Sequence, residues 1–129
     1  DRSEEQALYN WFCNWLNSFN FESMSEMERA KEIQKVLASC SYDTKGDATY
    51  ANRDDRNDYY TVLVEKHGVC AEFAMTAQAL AKALGLKSAV YGTGDHAVYY
   101  IQVDGKTYFG QNQVLNLNTT SPDRVYFME

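Results

Sequence analysis

The strongest constraint on the fold is a change of hydrophobic period at residue 85. Before it, Cys70, Phe73, Ala74, Ala77, Leu80, Ala81 and Leu84 recur at helical spacing, and Gly85 stands where a helix would stop. After it, the chain becomes rich in β-branched and aromatic residues. Ser88–Tyr91 reads as a short apolar strand, Gly92-Thr93-Gly94-Asp95 as a turn, and His96–Val103 as a longer strand. Asp104-Gly105 is a two-residue hairpin signal that returns the chain through Lys106–Gln111, and a last strand is expected near Arg124–Phe127.

Upstream of this unit the chain is helical. Leu8, Trp11, Phe12, Trp15, Leu16 and Phe19 form one apolar face of a helix over residues 3–20, with Ser3 and Gln6 at capping-box spacing. The two tryptophans read as anchors to the core. A second helix is expected from Ser25 to Ser39, capped by Ser25 and Glu28, with Met27, Ala30, Ile33 and Leu37 inward. Residues 41–58 lose all periodicity. Asp43, Asp47, Asp54, Asp55 and Asp58 invite a calcium reading, but no glycine and distal glutamate fall where an EF-hand loop needs them, so a solvated loop is expected. A short helix capped by Asp58 then runs to Glu65. Helices first and an antiparallel sheet last give an α+β class, and 129 residues with one proline suit a single domain, 1–129.

Eighteen acids against twelve bases give a net charge of −6, which argues against nucleic acid as a partner. No apolar run approaches the roughly 20 residues of a membrane span, so no membrane insertion is expected. The chain opens on Asp1-Arg2-Ser3-Glu4-Glu5, and an exported or cell-surface origin, extracellular in either case, is the expectation. Of the three cysteines, Cys13 and Cys40 sit too far apart along an antiparallel helix pair to favour a disulfide.

Cys70 departs from an ordinary core thiol in three ways. It falls in the first turn of a helix, where unpaired N–H groups favour a thiolate; Gly68 lets the backbone approach closely; and His96 opens a strand that this helix would pack on. A thiol and an imidazole across such a seam are what a cysteine hydrolase needs to make a nucleophile at neutral pH.

At these residues the chain resembles the transglutaminase-like, papain-like superfamily, in particular its bacterial cell-surface members. Gly68-Val69-Cys70-Ala71-Glu72-Phe73-Ala74 with Leu80 and Ala83-Leu84-Gly85-Leu86 looks like the nucleophile helix. Tyr91-Gly92, His96-Ala97 and Val103-Asp104-Gly105-Lys106 look like the histidine hairpin, and Ser41-Tyr42-Asp43 and Tyr60-Thr61-Val62-Leu63 fit the preceding segments. The resemblance implies a papain-like fold, a Cys–His–Asp triad and acyl transfer; a protein or peptide substrate, no cofactor and no metal site are the further expectations. Two positions depart from the pattern: Val98 and Tyr99 follow the histidine where an aromatic and an asparagine are usual, and the expected aspartate is Gln111.

Pleat geometry supports Gln111 as the third member. A two-residue turn at Asp104-Gly105 pairs Val103 with Lys106, hence Val98 with Gln111, and puts Gln111 on the face of His96 while Asn112 faces away. A carboxamide can hold the ring but supplies no negative charge to an imidazolium. The leading reading is a protease or amidase in preference to a cross-linking enzyme. A domain weakened in catalysis and used as a binding or structural module is the alternative. A zinc site at His67-x-x-Cys70 with His96 lacks an evident fourth ligand, and His67 reads as an exposed residue at a helix entry.

Overall fold

A computed structural model describes residues 2–44 and 58–128. Its elements are α1 (Arg2–Asn17), α2 (Glu26–Ala38), β1 (Ser41–Tyr42), α3 (Asp58–Leu63), β2 (His67–Gly68), α4 (Cys70–Ala83), β3 (Ser88–Thr93), β4 (His96–Val103), β5 (Lys106–Gln111) and β6 (Val114–Leu115). Strands β3 to β6 form one antiparallel meander in chain order, and β1 and β2 form a separate parallel pair. The class is α+β, as expected.

Helix α4 is the centre of the fold. Phe73, Ala74, Ala77, Leu80 and Ala81 are buried on it, and the small side chains among them let neighbouring elements come close. It packs on β4, with Tyr99, Ile101 and Val103 alternating into the core, and against α3 and α2 on other sides. The helix ends as its sequence dictates, with Gly85 in the left-handed region at φ +74°.

Helix α2 buries Ala30, Ile33 and Leu37. Its capping box is complete: the Glu28 amide donates to Ser25 Oγ at 3.1 Å, and the Ser25 amide donates to Glu28 Oε1 at 2.9 Å. The Asp104-Gly105 turn, with both residues at positive φ, docks here, its Asp104 amide donating to Glu26 Oε1 at 2.8 Å.

Four expectations need correction. Ser3 lies inside α1 rather than ahead of it, so the Ser3–Gln6 cap is not how that helix begins, and α1 stops at Asn17 before a short 3₁₀ turn at Phe21–Ser23. Helix α3 ends at Leu63, and the cap expected of the Asp58 side chain lies outside the described residues. Of the expected solvated loop, Ser41 and Tyr42 form β1, Asp43 is buried, and residues 45–57, with Asp47, Asp54 and Asp55, lie outside the described part.

The fourth concerns the last strand. Val114–Leu115, not 124–127, pairs with the free edge of β5. Val125 and Phe127 are half-buried and alternate with exposed Tyr126 and Met128, which is the pattern that suggested a strand. The segment is instead tied through side chains. The Tyr126 amide donates to Tyr91 Oη at 3.1 Å, and Tyr100 Oη donates to Asp123 Oδ2 at 2.6 Å. Burial, and then the Asp123 carboxylate, push the Tyr100 hydroxyl up to about 12.

Candidate active site

Cys70 is the first residue of α4 and is partly exposed. Val69 before it is extended, and its amide donates to Glu72 Oε1 at 2.9 Å, so a buried carboxylate closes the helix start from inside. Gly68 sits in a tight contact: a Cβ there would lie 3.0 Å from Val62 Cγ2 and 3.2 Å from Glu72 Oε1, so a neighbour would have to give way by a few tenths of an ångström. The close backbone approach expected of Gly68 is present.

His96 opens β4 directly after the Gly94-Asp95 turn, and Cys70 Sγ lies 3.9 Å from the Asp95 carbonyl oxygen. The thiol thus lies against the chain at the residue before His96. Among the described residues they make no direct hydrogen bond to each other.

The expected hairpin register holds. Val103 faces Lys106 and the pairing runs to Tyr99 opposite Gly110, which leaves Gln111 beside Val98 on the face of His96. His96 Nε2 and Gln111 Oε1 are 3.0 Å apart. A carboxamide oxygen only accepts, so this contact is a hydrogen bond in the tautomer that carries its proton on Nε2 and keeps the lone pair on Nδ1. That tautomer is the one a base at Nδ1 requires.

Two residues hold Gln111 in place that sequence reasoning missed. Gly110 lies under the Tyr99 ring so closely that a Cβ would fall 2.1 Å from Cε2 and 2.5 Å from Cζ. Tyr99 is fully buried, and its hydroxyl, pushed upward by that burial, donates to the Asn112 carbonyl at 2.9 Å. The β5–β6 turn is thereby fixed, with Asn112 at φ +52°. The signal was available, because a glycine inside a strand marks a close approach. Asn112 Oδ1 is buried with no hydrogen-bond partner among the described residues.

A hollow of about 340 Å³ adjoins Gln111, lined by Phe109, Asn112, Gln113, Val114 and Asn116. A larger one, about 530 Å³, lies along Gln78, Lys82 and Ser88 and touches none of Cys70, His96 or Gln111. The smaller shares Gln111 but is lined by neither Cys70 nor His96.

The sequence profile of the transglutaminase-like superfamily matches residues 14–99, more than half of the chain. The chain belongs to this superfamily. It is a grouping of cysteine-based acyltransferases and hydrolases, and the match spans Cys70 and His96 but stops short of Gln111. A solved structure described as a TGase superposes with a TM-score of 0.53 at 19% identity, covering 96% of this chain and 34% of that one. The likeness is one of fold, and the chain spans about a third of that protein's length. No curated protein matches.

The zinc reading loses its local pair. His67 is on β2, and its side chain is 14% exposed rather than open to solvent; its ring nitrogens face Asp43 and Glu65. Among the described residues, no three His, Cys, Asp or Glu side chains converge as a metal site needs.

Proposed function

We propose that the domain is a thiol-dependent acyl-transfer enzyme acting on a protein or peptide, a protease or amidase in preference to a cross-linker. The observation that carries this is the 3.0 Å contact between His96 Nε2 and Gln111 Oε1, which frees Nδ1 as a base beside the helix that begins at Cys70. In this reading the Cys70 proton passes to His96 Nδ1 as sulfur attacks the carbonyl carbon. The oxyanion takes the Cys70 amide as one donor, since first-turn amides have no partner within the helix. Collapse breaks the bond to the leaving amine, which takes the proton from His96, and a thioester remains for water or a second amine.

Gln111 orients the ring but brings no charge, so the base is weaker than one backed by a carboxylate. That neutrality, with the missing thiol–imidazole hydrogen bond, favours a second reading: a domain weakened in catalysis that serves as a binding or structural module.

Incubation with activated ester and amide acyl donors, followed by intact-mass and peptide analysis, separates the two. An acyl adduct on Cys70 that is lost in Cys70→Ala is the expected result. No adduct on Cys70 across the donors, with the protein folded, favours the module.

A further inference from the structure

A histidine–carboxylate pair sits outside the triad, between His67 of β2 and Asp43, the residue that follows β1. His67 Nδ1 is 2.7 Å from Asp43 Oδ2, and Asp43 is only 4% exposed. Its other nitrogen, Nε2, is 3.2 Å from Glu65 Oε1. Backbone bonds flank the pair: the Ser41 amide donates to the Lys66 carbonyl at 2.9 Å, and the Asp43 amide donates to the Gly68 carbonyl at 2.8 Å. Every residue from Lys66 to Val69, the four that deliver Cys70 to its helix, is therefore tied by a named bond.

The tie has something to hold. Lys66 stands at φ +69°, a conformation that costs a non-glycine residue about 1 kcal/mol or more and persists only where surroundings enforce it. A strand pair of two residues each is too short to enforce it through backbone bonds alone. The buried charge-assisted contact at Asp43 is the additional restraint. Tyr42, next to Asp43, stacks on Phe73 of α4 at 6.3 Å, so the same stretch braces the nucleophile helix from its side.

We propose that Asp43 and His67 are positioning residues for the nucleophile. They lock the strand that enters α4, and with it the orientation of the Cys70 sulfur and amide, although neither reaches the reacting atoms. This rests on the proposed role of Cys70 and His96. The chemistry of the pair is a fixed hydrogen bond, with the Nδ1–H donating to a buried carboxylate, rather than a relay.

The test is site-resolved alkylation by iodoacetamide, read by mass spectrometry for each cysteine of the full chain. Cys40 serves as the internal gauge of folding: it is buried, its Sγ donates to the Val62 carbonyl at 3.4 Å, and burial pushes its thiol up. Asp43→Ala and His67→Ala, which break the same contact from either side, are each expected to slow Cys70 roughly tenfold while Cys40 stays protected. Asp43→Asn, which keeps an acceptor facing Nδ1, is expected to recover most of the rate. Unchanged Cys70 labelling in both alanine variants overturns the proposal. So does early labelling of Cys40 in both, because the pair would then be purely structural. His96→Ala is run alongside: if it leaves Cys70 unaltered, the thiol–imidazole reading fails whatever Asp43 does. If it alone slows Cys70, only the positioning role is lost.

Discussion

Gly110→Ala is expected to destabilise the protein by about 3 kcal/mol, at the upper end of overpacking costs, and to lower Tm by about 10 °C. The added Cβ would lie 2.1, 2.5 and 2.7 Å from three atoms of the Tyr99 ring, distances no relaxation of the Cβ itself relieves. The ring cannot swing away cheaply. It is fully buried against the core, and its hydroxyl is tied to the Asn112 carbonyl. Either the ring leaves its rotamer or β5 moves off β4, and the second choice carries Gln111 away from His96. Thermal unfolding of Gly110→Ala, Tyr99→Leu and the double variant decides the cause. If contact with the ring is responsible, the alanine penalty shrinks by more than half in the Tyr99→Leu background. An alanine variant within about 0.5 kcal/mol of the parent would mean that the two strands are not packed this closely.

Gln111→Asp is expected to raise the alkylation rate of Cys70 near neutral pH by about tenfold, and Gln111→Ala to lower it. Gln111 Oε1 already occupies the acceptor position at 3.0 Å from His96 Nε2. A carboxylate on the shorter side chain adds charge near that position. Opposite charge within hydrogen-bonding range favours the imidazolium, and through it the thiolate, by one to a few factors of ten. The effect should therefore be largest below neutrality, where the unassisted thiol is protonated, and vanish at alkaline pH. Asn112→Ala is the control. The Asn112 side chain makes no hydrogen bond to His96, and its carbonyl keeps the Tyr99 bond in the variant, so reactivity is expected to hold. Stability should fall by about 1 kcal/mol, because alanine is less tolerant than asparagine of φ +52°. Sensitivity at Asn112 with silence at Gln111 would contradict the register.

The candidate site was legible wherever a local pattern fixed the geometry. The apolar stripe from Phe73 to Leu84 carried α4 and its Gly85 stop, and Asp104-Gly105 set the hairpin register that brings Gln111 to His96. Both signals act over a few residues, where periodicity and turn chemistry dominate. What escaped depends on contacts between distant segments. Strands β1 and β2 are two residues each and pair Ser41 with His67, so neither has a length over which alternation shows. Nothing in the run around Asp43 distinguishes a buried partner of His67 from the other aspartates of the same polar stretch. At the C-terminus the alternation was real but misread. Val125 and Phe127 are half-buried without joining a backbone ladder, and the segment is tied by side chains at Tyr91 and Tyr100 instead.

Whether Cys70 and His96 act as one unit is read directly from the ultraviolet absorbance of the thiolate followed against pH. Cys70→Ser identifies which part of the signal belongs to Cys70, since Cys13 and Cys40 are also free thiols. The Cys70 signal is expected at lower pH in the parent protein than in His96→Ala, because an imidazolium at His96 would stabilise the thiolate. Coincident curves for the parent and His96→Ala would contradict it, and would leave a papain-like scaffold whose thiol and imidazole are neighbours without being partners.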